Sequence, residues 1–345
     1  MIDIKLLEQL CLCNGISGDE GNVRNLIINE IKDCADDIKT DNLGNLIVFK
    51  KGKKSAKSKL MVSAHMDEVG LMVTDITSDG YLKFDEVGGI DRRVLPGKRV
   101  CVGRNGLNGV IGVKPIHLTN GDEKTAVPKM SDMYIDIGVE SREDALKYVN
   151  YGDSINFEGD FKINGKTVVT KALDDRFGCY VLINLIKSEP EYDMYFTFVV
   201  QEEVGLRGAR PAAFTVNPDF ALVIESTTAA DVAEVDASHQ VCNLSKGATV
   251  TVMDRATVYD KEMISAAFEL AEKNNIAVQY KRAVAGGNDS GAIHQSRGGV
   301  RTLAVSLPSR YIHAPSTAAN LDDCESVLKL AKVLSDYIAG GKLAK

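Results

Sequence analysis

Residues 59–70 read KLMVSAHMDEVG, an apolar run that ends in a histidine and two acids. The apolar part has the composition of a buried strand, and His65 and Asp67 stand at its carboxyl end. In an open α/β sheet the carboxyl ends of parallel strands converge on one crevice, even when the strands are far apart in sequence. The stretch therefore predicts a strand that delivers His65 and Asp67 to a site shared with other strands.

Four more stretches place residues able to bind metal at the end of an apolar run or directly before one. They are KALDDRFG (171–178), VVQEEVGLRGA (199–209), ALVIEST (221–227) and RYIHAPS (310–316), and they contribute Asp174, Asp175, Glu202, Glu203, Glu225 and His313. Each residue alone has a simpler explanation, since Asp174 could cap a helix and His65 could be a hydrogen-bonded core histidine. Together the five stretches predict a metal site.

The spacing within two of these stretches suggests separate roles. His65 and Asp67 are two residues apart, so on a strand they face the same side, and Asp67 can accept a hydrogen bond from the second imidazole nitrogen. Glu202 and Glu203 would point apart on a strand, but a turn before Gly205 can bring both to one cavity. One of them can then bind metal while its neighbour moves protons.

Formal charge predicts two metal ions. Asp174, Glu203 and Glu225 are anionic while the imidazoles of His65 and His313 are neutral, so two divalent cations leave a single positive charge that one hydroxide cancels. Five ligands also exceed the three usual at a mononuclear catalytic zinc. Nitrogen and oxygen ligands without a thiolate suit zinc, cobalt or manganese.

Composition limits the classes of partner. The 345 residues carry a formal net charge of −7, which argues against nucleic acid or an anionic membrane as the main partner. The basic run KKGKKSAKSK (50–59) lies between two predicted strands and is typical of a solvated hairpin loop. The chain begins MIDIKLLEQL, without the basic start of a signal peptide, and no apolar stretch approaches the roughly 18 residues of a membrane span. A cytoplasmic protein is expected.

Cysteine usage agrees with that compartment. The seven cysteines are scattered and include no C-x-x-C pair, so the sequence indicates neither a disulfide framework nor a thiolate zinc site. We expect reduced, mostly structural thiols.

The pattern of predicted secondary structure changes twice along the chain. Residues 4–36 show helical periodicity and are followed by strands, whereas residues 69–165 contain short β-like pieces separated by glycine, with one predicted helix at 142–149. After residue 166 strands and helices alternate again, with helices predicted at 261–274 and 323–339. The pattern predicts an α/β domain with a small all-β barrel or sandwich inserted into it.

The chain resembles the tetrahedral aminopeptidases in six stretches: HMDEVG (65–70), VGGIDRRVLPGKRV (87–100), ALDDRFGC (172–179), QEEVGLRGA (201–209), GGNDSGAIH (286–294) and RYIHAPS (310–316). That metallo-aminopeptidase family includes glutamyl aminopeptidases and proteins labelled cellulase M, and the motifs follow its order over essentially the whole chain. The resemblance implies a zinc-peptidase-like catalytic domain, a mixed sheet flanked by helices, at residues 1–68 and 166–345. It implies that residues 69–165 form a barrel that makes dimers, six of which close into a dodecamer that admits peptides.

The resemblance also implies a role for each site residue. Asp174 would bridge two divalent ions. His65 and Glu225 would complete the ligands of one ion, and Glu203 and His313 those of the other. Glu202 would be the general base, and Asp67 would support the site by contacting the ligands without binding metal itself. Glu225 stands where aspartate is common in the family, and GGNDSG replaces the more usual GGTDAG on the substrate side. Gly287, Asn288 and Asp289 are therefore candidate substrate contacts, with a glycine-rich turn and an Asx cap as the alternative.

The expected activity is release of N-terminal residues from peptides by activated water, with zinc or cobalt as the favoured ion, manganese as an alternative, and Glu202 moving the proton. Surface arginines such as Arg207, Arg210, Arg255 and Arg310 either favour an acidic side chain or are simply solvated. A deacylase or carboxypeptidase could use the same dinuclear core. A cellulase would need two free carboxylates flanking a sugar cleft, and a non-catalytic scaffold would leave Glu202 without a task.

Overall fold

The computed structural model describes residues 2–343, apart from the side chain of Glu123. The helices of this part are α1 (Ile4–Leu12), α2 (Gly21–Ile31), α3 (Arg142–Ala145), α4 (Leu173–Lys187), α5 (Ala209–Val216), α6 (Lys261–Lys273), α7 (Ser290–Ile293) and α8 (Leu321–Ala339). Within residues 2–343, no helix combines the length and the apolar character needed to cross a membrane.

The strands fall into two groups. Those of the large sheet are β1 (Asp37–Thr40), β2 (Leu46–Lys50), β3 (Leu60–His65), β10 (Lys162–Asn164), β11 (Thr167–Thr170), β12 (Met194–Val199), β13 (Phe220–Thr228), β14 (Ala248–Val250), β15 (Val278–Tyr280), β16 (Arg301–Arg310) and β17 (Thr317–Asn320). Those of a barrel are β4 (Gly70–Ile76), β5 (Leu82–Val87), β6 (Arg99–Val102), β7 (Leu107–Gly112), β8 (Tyr134–Asp136) and β9 (Ser154–Phe157).

Four of the described helices, α1, α3, α6 and α8, begin at a residue whose side chain caps them. Asp260 accepts a hydrogen bond from the amide of Met263 at the start of α6, and Asn320 accepts one from Asp322 at the start of α8. Helix α3 begins after Ser141, which caps it, but ends at Ala145, so the helix predicted over 142–149 is shorter than expected.

The large sheet is mixed, which confirms the predicted fold class. Its order is β1-β2-β12-β3-β13-β16-β17-β11-β10, with β14 and β15 attached beside β16. Strands β12, β3, β13 and β16 are parallel neighbours, and antiparallel strands extend the sheet on both sides. All six residues of β3 are buried, as a continuous apolar run in a covered parallel sheet requires. Helix α4 packs on β3 and β13, with α1, α2 and α8 beside it.

The predicted hairpin loop at residues 50–59 is wrong. Strands β2 and β3 both pair with β12, which lies between them, so the basic run passes the amino-terminal end of β12 and does not join two paired strands. Most of its lysines remain exposed, and Lys54 forms an ion pair with Glu191. Strands that follow one another in sequence are often, but not always, neighbours in the sheet.

The inserted strands close into a barrel in the order β4-β5-β8-β7-β6-β9, which decides between barrel and sandwich. The barrel has its own apolar core, including Leu71, Val100 and Ile155, separate from the core under the large sheet. Strand β10 pairs with β11 in the large sheet, although it lies within residues 69–165, the range predicted for the insert. We therefore propose an inserted domain that ends soon after β9.

Candidate metal centre

The candidate centre lies at the carboxyl edge of the large sheet. His65 is the last residue of β3, Glu202 and Glu203 follow β12, Glu225 lies in β13, and His313 follows β16. Asp174 stands at the start of α4, four residues after β11, which runs parallel to β16 because both are antiparallel to β17. The side chains thus converge although they span most of the chain.

The first group of candidate ligands surrounds His65. Its Nε2 atom lies 3.4 Å from Oδ1 of Asp174 and 3.3 Å from Oε1 of Glu225, and all three side chains are buried. Its Nδ1 atom lies 3.0 Å from the main-chain oxygen of Asp67. With Nδ1 donating to that carbonyl, Nε2 keeps its lone pair for a metal ion.

The second group surrounds His313. Its Nε2 atom lies 3.4 Å from Oδ2 of Asp174 and 3.2 Å from Oε2 of Glu203. Its Nδ1 atom lies 3.1 Å from the main-chain oxygen of Gly89, in the loop that follows barrel strand β5. Asp174 therefore offers one oxygen to each histidine, and the two groups meet at its carboxylate.

Burial disfavours the ionised forms of the acids in this cluster. Burial, with the charge of Asp174, raises the pKa of Glu203 and of Glu225 to about 8, against the opposing effect of His65 on both and of His313 on Glu203. Burial would lower the pKa of His313, but Asp174 and Glu203 raise it to about 9. A divalent cation would reverse the effect on the acids by favouring their ionised forms.

The unpaired atoms fit a metal site. Oδ1 of Asp174 and Oε2 of Glu225 are buried and have no hydrogen-bond partner among the described residues. Buried carboxylate oxygens normally have partners, so these atoms are available as ligands. Carboxylate and imidazole donors without a thiolate suit zinc, cobalt or manganese.

Asp67 contacts both the imidazole of His65 and the segment that carries the two glutamates. Its carboxylate lies 3.5 Å from Nδ1 of His65, which instead lies against the main-chain oxygen of the same residue. The carboxylate accepts hydrogen bonds from the amides of Glu202 and Glu203, at 3.0 and 3.1 Å, and from the hydroxyl of Ser17. Asp67 thus links the end of β3 to the segment that carries both glutamates.

Glu202 and Glu203 reach the same cluster of possible ligand atoms because the chain turns directly after β12. Gln201 has a positive φ of 57°, one residue before the pair, so the chain turns at the strand end before Gly205, as the sequence predicts. Ligand atoms of His65, Glu202 and Glu203 lie within 4.8 Å of one another. Burial raises the pKa of Glu202 well above its usual range, and Glu225 and Asp289 add to that effect against the charge of His65.

A cavity of about 130 Å³ opens beside the centre. His65, Asp174, Glu202, Glu225 and His313 line it together with Gly287 and Asn288, two of the predicted substrate contacts. Asn288 also accepts a hydrogen bond from the amide of Ser290, which is the Asx turn of the alternative interpretation. Asp289 is fully buried, and its two carboxylate oxygens have no partner within the described part of the chain.

This chain is similar to known proteins in both sequence family and fold. The family model described as M42 glutamyl aminopeptidase matches residues 44–330. The chain belongs to the M42 glutamyl aminopeptidase family. Members of this family are metal-dependent peptidases, that is, hydrolases acting on peptide bonds, so the expected enzyme class and family are confirmed.

Individual M42 relatives cover nearly the whole chain. A putative aminopeptidase of Acetivibrio thermocellus is 43% identical over 94% of this chain and 96% of its own, and the lysyl aminopeptidase of Pyrococcus furiosus is 33% identical over 98% of each. The TET aminopeptidase of a Thaumarchaeota archaeon superposes with a TM-score of 0.93 at 32% identity, over 98% of each chain. The Pyrococcus horikoshii TET1 peptidase gives 0.85 at 39% identity, over 96% of this chain and 98% of its own.

Two contributors to this M42 site were missed in the sequence. Lys281 lines the cavity, is 9% exposed, and donates a hydrogen bond to the carbonyl of Ala285 at 2.8 Å. It follows an edge strand without any periodic signal, and the arginines named instead are mostly exposed, with Arg310 paired to Asp231. Gly89 acts through its carbonyl, which no side-chain pattern reveals.

Proposed function

We propose that this M42 protein is a dinuclear metallo-aminopeptidase that releases N-terminal residues from peptides. The observation that supports it most is the carboxylate of Asp174, whose two oxygens face the Nε2 atoms of two different histidines. One carboxylate shared between two complete ligand groups is the arrangement that a pair of ions requires. His65 and Glu225 would hold one ion, and Glu203 and His313 the other.

Two divalent cations held there would supply a water molecule of lowered pKa and a Lewis acid for the scissile carbonyl. The remaining work falls to the protein's own groups. Glu202 lines the cavity and is assigned no ligand role, so its carboxylate takes the proton from water and delivers it to the leaving amine. Asp67 accepts hydrogen bonds from the amides of Glu202 and Glu203, which fixes the position of the proposed base relative to the proposed ligand.

The cavity beside the centre is the proposed site for the side chain of the N-terminal residue. Its lining includes the hydroxyl-bearing residues Ser226, Thr227, Thr228 and Ser306, and the buried residue Lys281. Burial lowers the pKa of Lys281, and an anionic group beside it would stabilise the protonated ammonium form. We propose that an acidic N-terminal residue is accepted better than an apolar one.

Self-association is proposed from a relative and from the barrel surface. The Pyrococcus horikoshii TET1 peptidase assembles into a tetrahedron or a large octahedral shell. In this chain Ile116, Leu118 and Val127, in the segment between β7 and β8, are 50–65% exposed. Large apolar side chains grouped on a surface are typical of a protein interface. We propose that the barrel domain forms dimers that assemble into a dodecamer.

The decisive experiment compares a peptide with a free N-terminus and its N-acetylated form, using enzyme stripped of metal and then reloaded with zinc, cobalt or manganese. The proposal expects metal-dependent release of the first residue from the free peptide only. Turnover of the acetylated peptide would indicate a deacylase, and release from the carboxyl end would indicate a carboxypeptidase. Metal binding without turnover of either peptide would indicate a scaffold.

A further inference from the structure

Four successive amides in the segment that carries the two glutamates donate to side-chain oxygens rather than to a neighbouring strand. Val200 donates to Oδ1 of Asn45 at 2.9 Å, Gln201 to Oε1 of Glu20 at 3.1 Å, and Glu202 and Glu203 to the carboxylate of Asp67 at 3.0 and 3.1 Å. These acceptors come from three separate parts of the chain. Every amide of residues 200–203 is therefore held from outside the segment.

Asn45 closes the base of the loop that follows β12. It is fully buried, and while its Oδ1 accepts from Val200, its Nδ2 donates to the carbonyl of Gly208 at 2.9 Å. Gly208 in turn donates its amide to the carbonyl of Val200 at 3.0 Å. A Cβ atom at Gly208 would collide with Oδ1 of Asn45, so the fit is close. Asn45 thus ties both ends of residues 200–208 together.

The support behind Asn45 is itself fixed. Oδ1 of Asp41 accepts from the amides of Leu43, Gly44 and Asn45, each at 3.0 Å, and Oδ2 of Asp41 accepts from Nδ2 of Asn45 at 2.7 Å. The turn 41–45 therefore has little freedom to rotate the Asn45 amide.

Glu20 holds the next residue along the segment. Its side chain is buried, and Oε1 accepts from the amide of Gly18 at 2.7 Å as well as from Gln201. Gln201 is the residue with positive φ at which the chain turns away from β12. The hydrogen bond from Glu20 thus acts at the point that sets the direction of Glu202.

We propose that Asn45 and Glu20 are positioning residues for the two glutamates. Because Glu202 and Glu203 are adjacent, a small rotation of the segment would move the base and the ligand together, and a shift of about 1 Å can cost about 100-fold in rate. Neither Asn45 nor Glu20 lines the cavity or belongs to a ligand group. They act through the amides of Val200 and Gln201. This inference rests on the proposed function.

The test compares Asn45→Ala and Glu20→Ala with Glu20→Gln and with Asp323→Ala. The last is a matched control, because Asp323 is also buried and accepts two loop amides, Ser245 at 2.6 Å and Gly247 at 2.7 Å, none of them in residues 200–208. Zinc affinity is measured against a competing chelator, and kcat, KM and melting temperature are measured on zinc-loaded enzyme. Asn45→Ala and Glu20→Ala should each weaken zinc binding or lower kcat by about 10- to 100-fold, with KM nearly unchanged.

Glu20→Gln keeps the acceptor oxygen and should stay near the wild type in both measurements. Asp323→Ala should lower the melting temperature without changing zinc affinity or kcat. Wild-type zinc affinity and kcat in folded Asn45→Ala and Glu20→Ala would overturn the proposal. If those variants do not fold, hydrogen exchange of the metal-free wild type decides, since slow exchange at amides 200–203 is expected and fast exchange would refute it.

The two proposals can fail separately. If the wild-type enzyme binds zinc but cleaves no peptide, the proposed function fails, whereas the zinc affinities of the same variants still report on positioning.

Discussion

His313 and Gly89 connect the two cores of the molecule, with Nδ1 of the histidine 3.1 Å from the main-chain oxygen of the glycine. Gly89 belongs to the loop after barrel strand β5, whereas His313 follows β16 of the large sheet. The barrel therefore orients one side chain of the candidate metal centre. Changes in the barrel loop should alter metal binding at the centre, even though no barrel side chain is among the proposed ligands.

Gly88→Ala tests this connection. Gly88 has a φ of +84°, and a Cβ atom there would lie 2.8 Å from Val69 and 3.2 Å from Cβ of Glu203. We expect zinc affinity to fall by about tenfold, beyond the cost of about 1–2 kcal/mol for the backbone conformation. Gly97→Ala is the control, because Gly97 has a similar φ of +78° with nothing within 4 Å of the added atom. Equal zinc affinity in both variants would disconnect the barrel loop from the centre.

Replacing the histidines separates the two ligand groups. His65→Ala and His313→Ala each remove a ligand from a different group, so each should lose metal and nearly all activity while the apolar cores keep the fold. Elemental analysis of the purified variants and circular dichroism check the two halves of this expectation. Unchanged metal content in both variants would refute the assignment.

Glu202→Gln and Glu203→Gln should lose activity for different reasons. Glu202→Gln cannot accept the proton of water, so kcat should fall by about 100-fold or more while the metal content is unchanged. Glu203→Gln removes a charged ligand, so metal binding should weaken and excess metal should restore part of the activity. The reverse pattern would exchange the two roles, and an active Glu202→Gln enzyme would leave the mechanism without its base.

Lys281→Met tests the side-chain cavity. Removing the buried ammonium should lower kcat/KM for a peptide with N-terminal glutamate by about 10- to 100-fold, the scale of a charge-assisted hydrogen bond, and should leave N-terminal leucine nearly unaffected. Arg282→Met controls for long-range charge, since Arg282 is adjacent in sequence but exposed. An equal loss for both peptides would assign Lys281 to the structure of the cavity rather than to selectivity.

Much of this architecture could be predicted because it depends on local pattern. Buried runs such as β3 end in polar residues, and parallel strands bring those ends together, so the stretches that carry His65, Asp174, Glu203, Glu225 and His313 could be identified from their pattern. The separate roles of Glu202 and Glu203 were implied only by the family resemblance. The strand order could not be predicted, because β12 inserts between β2 and β3 through contacts that are distant in sequence.

The supporting contacts of the site were also hidden in the sequence. The partners of the two imidazoles are the carbonyls of Asp67 and Gly89, and every residue type carries a carbonyl. Asn45 is far from the glutamates in sequence, and Lys281 enters the cavity from the end of an edge strand. Such roles depend on tertiary geometry and leave no periodic signal.

The most direct test of the central claim is an anomalous-difference map from crystals of the enzyme loaded with zinc. A dinuclear centre predicts two peaks flanking the carboxylate of Asp174, one beside His65 and Glu225 and the other beside Glu203 and His313. A single peak, or zinc bound elsewhere with none at Asp174, would contradict the account.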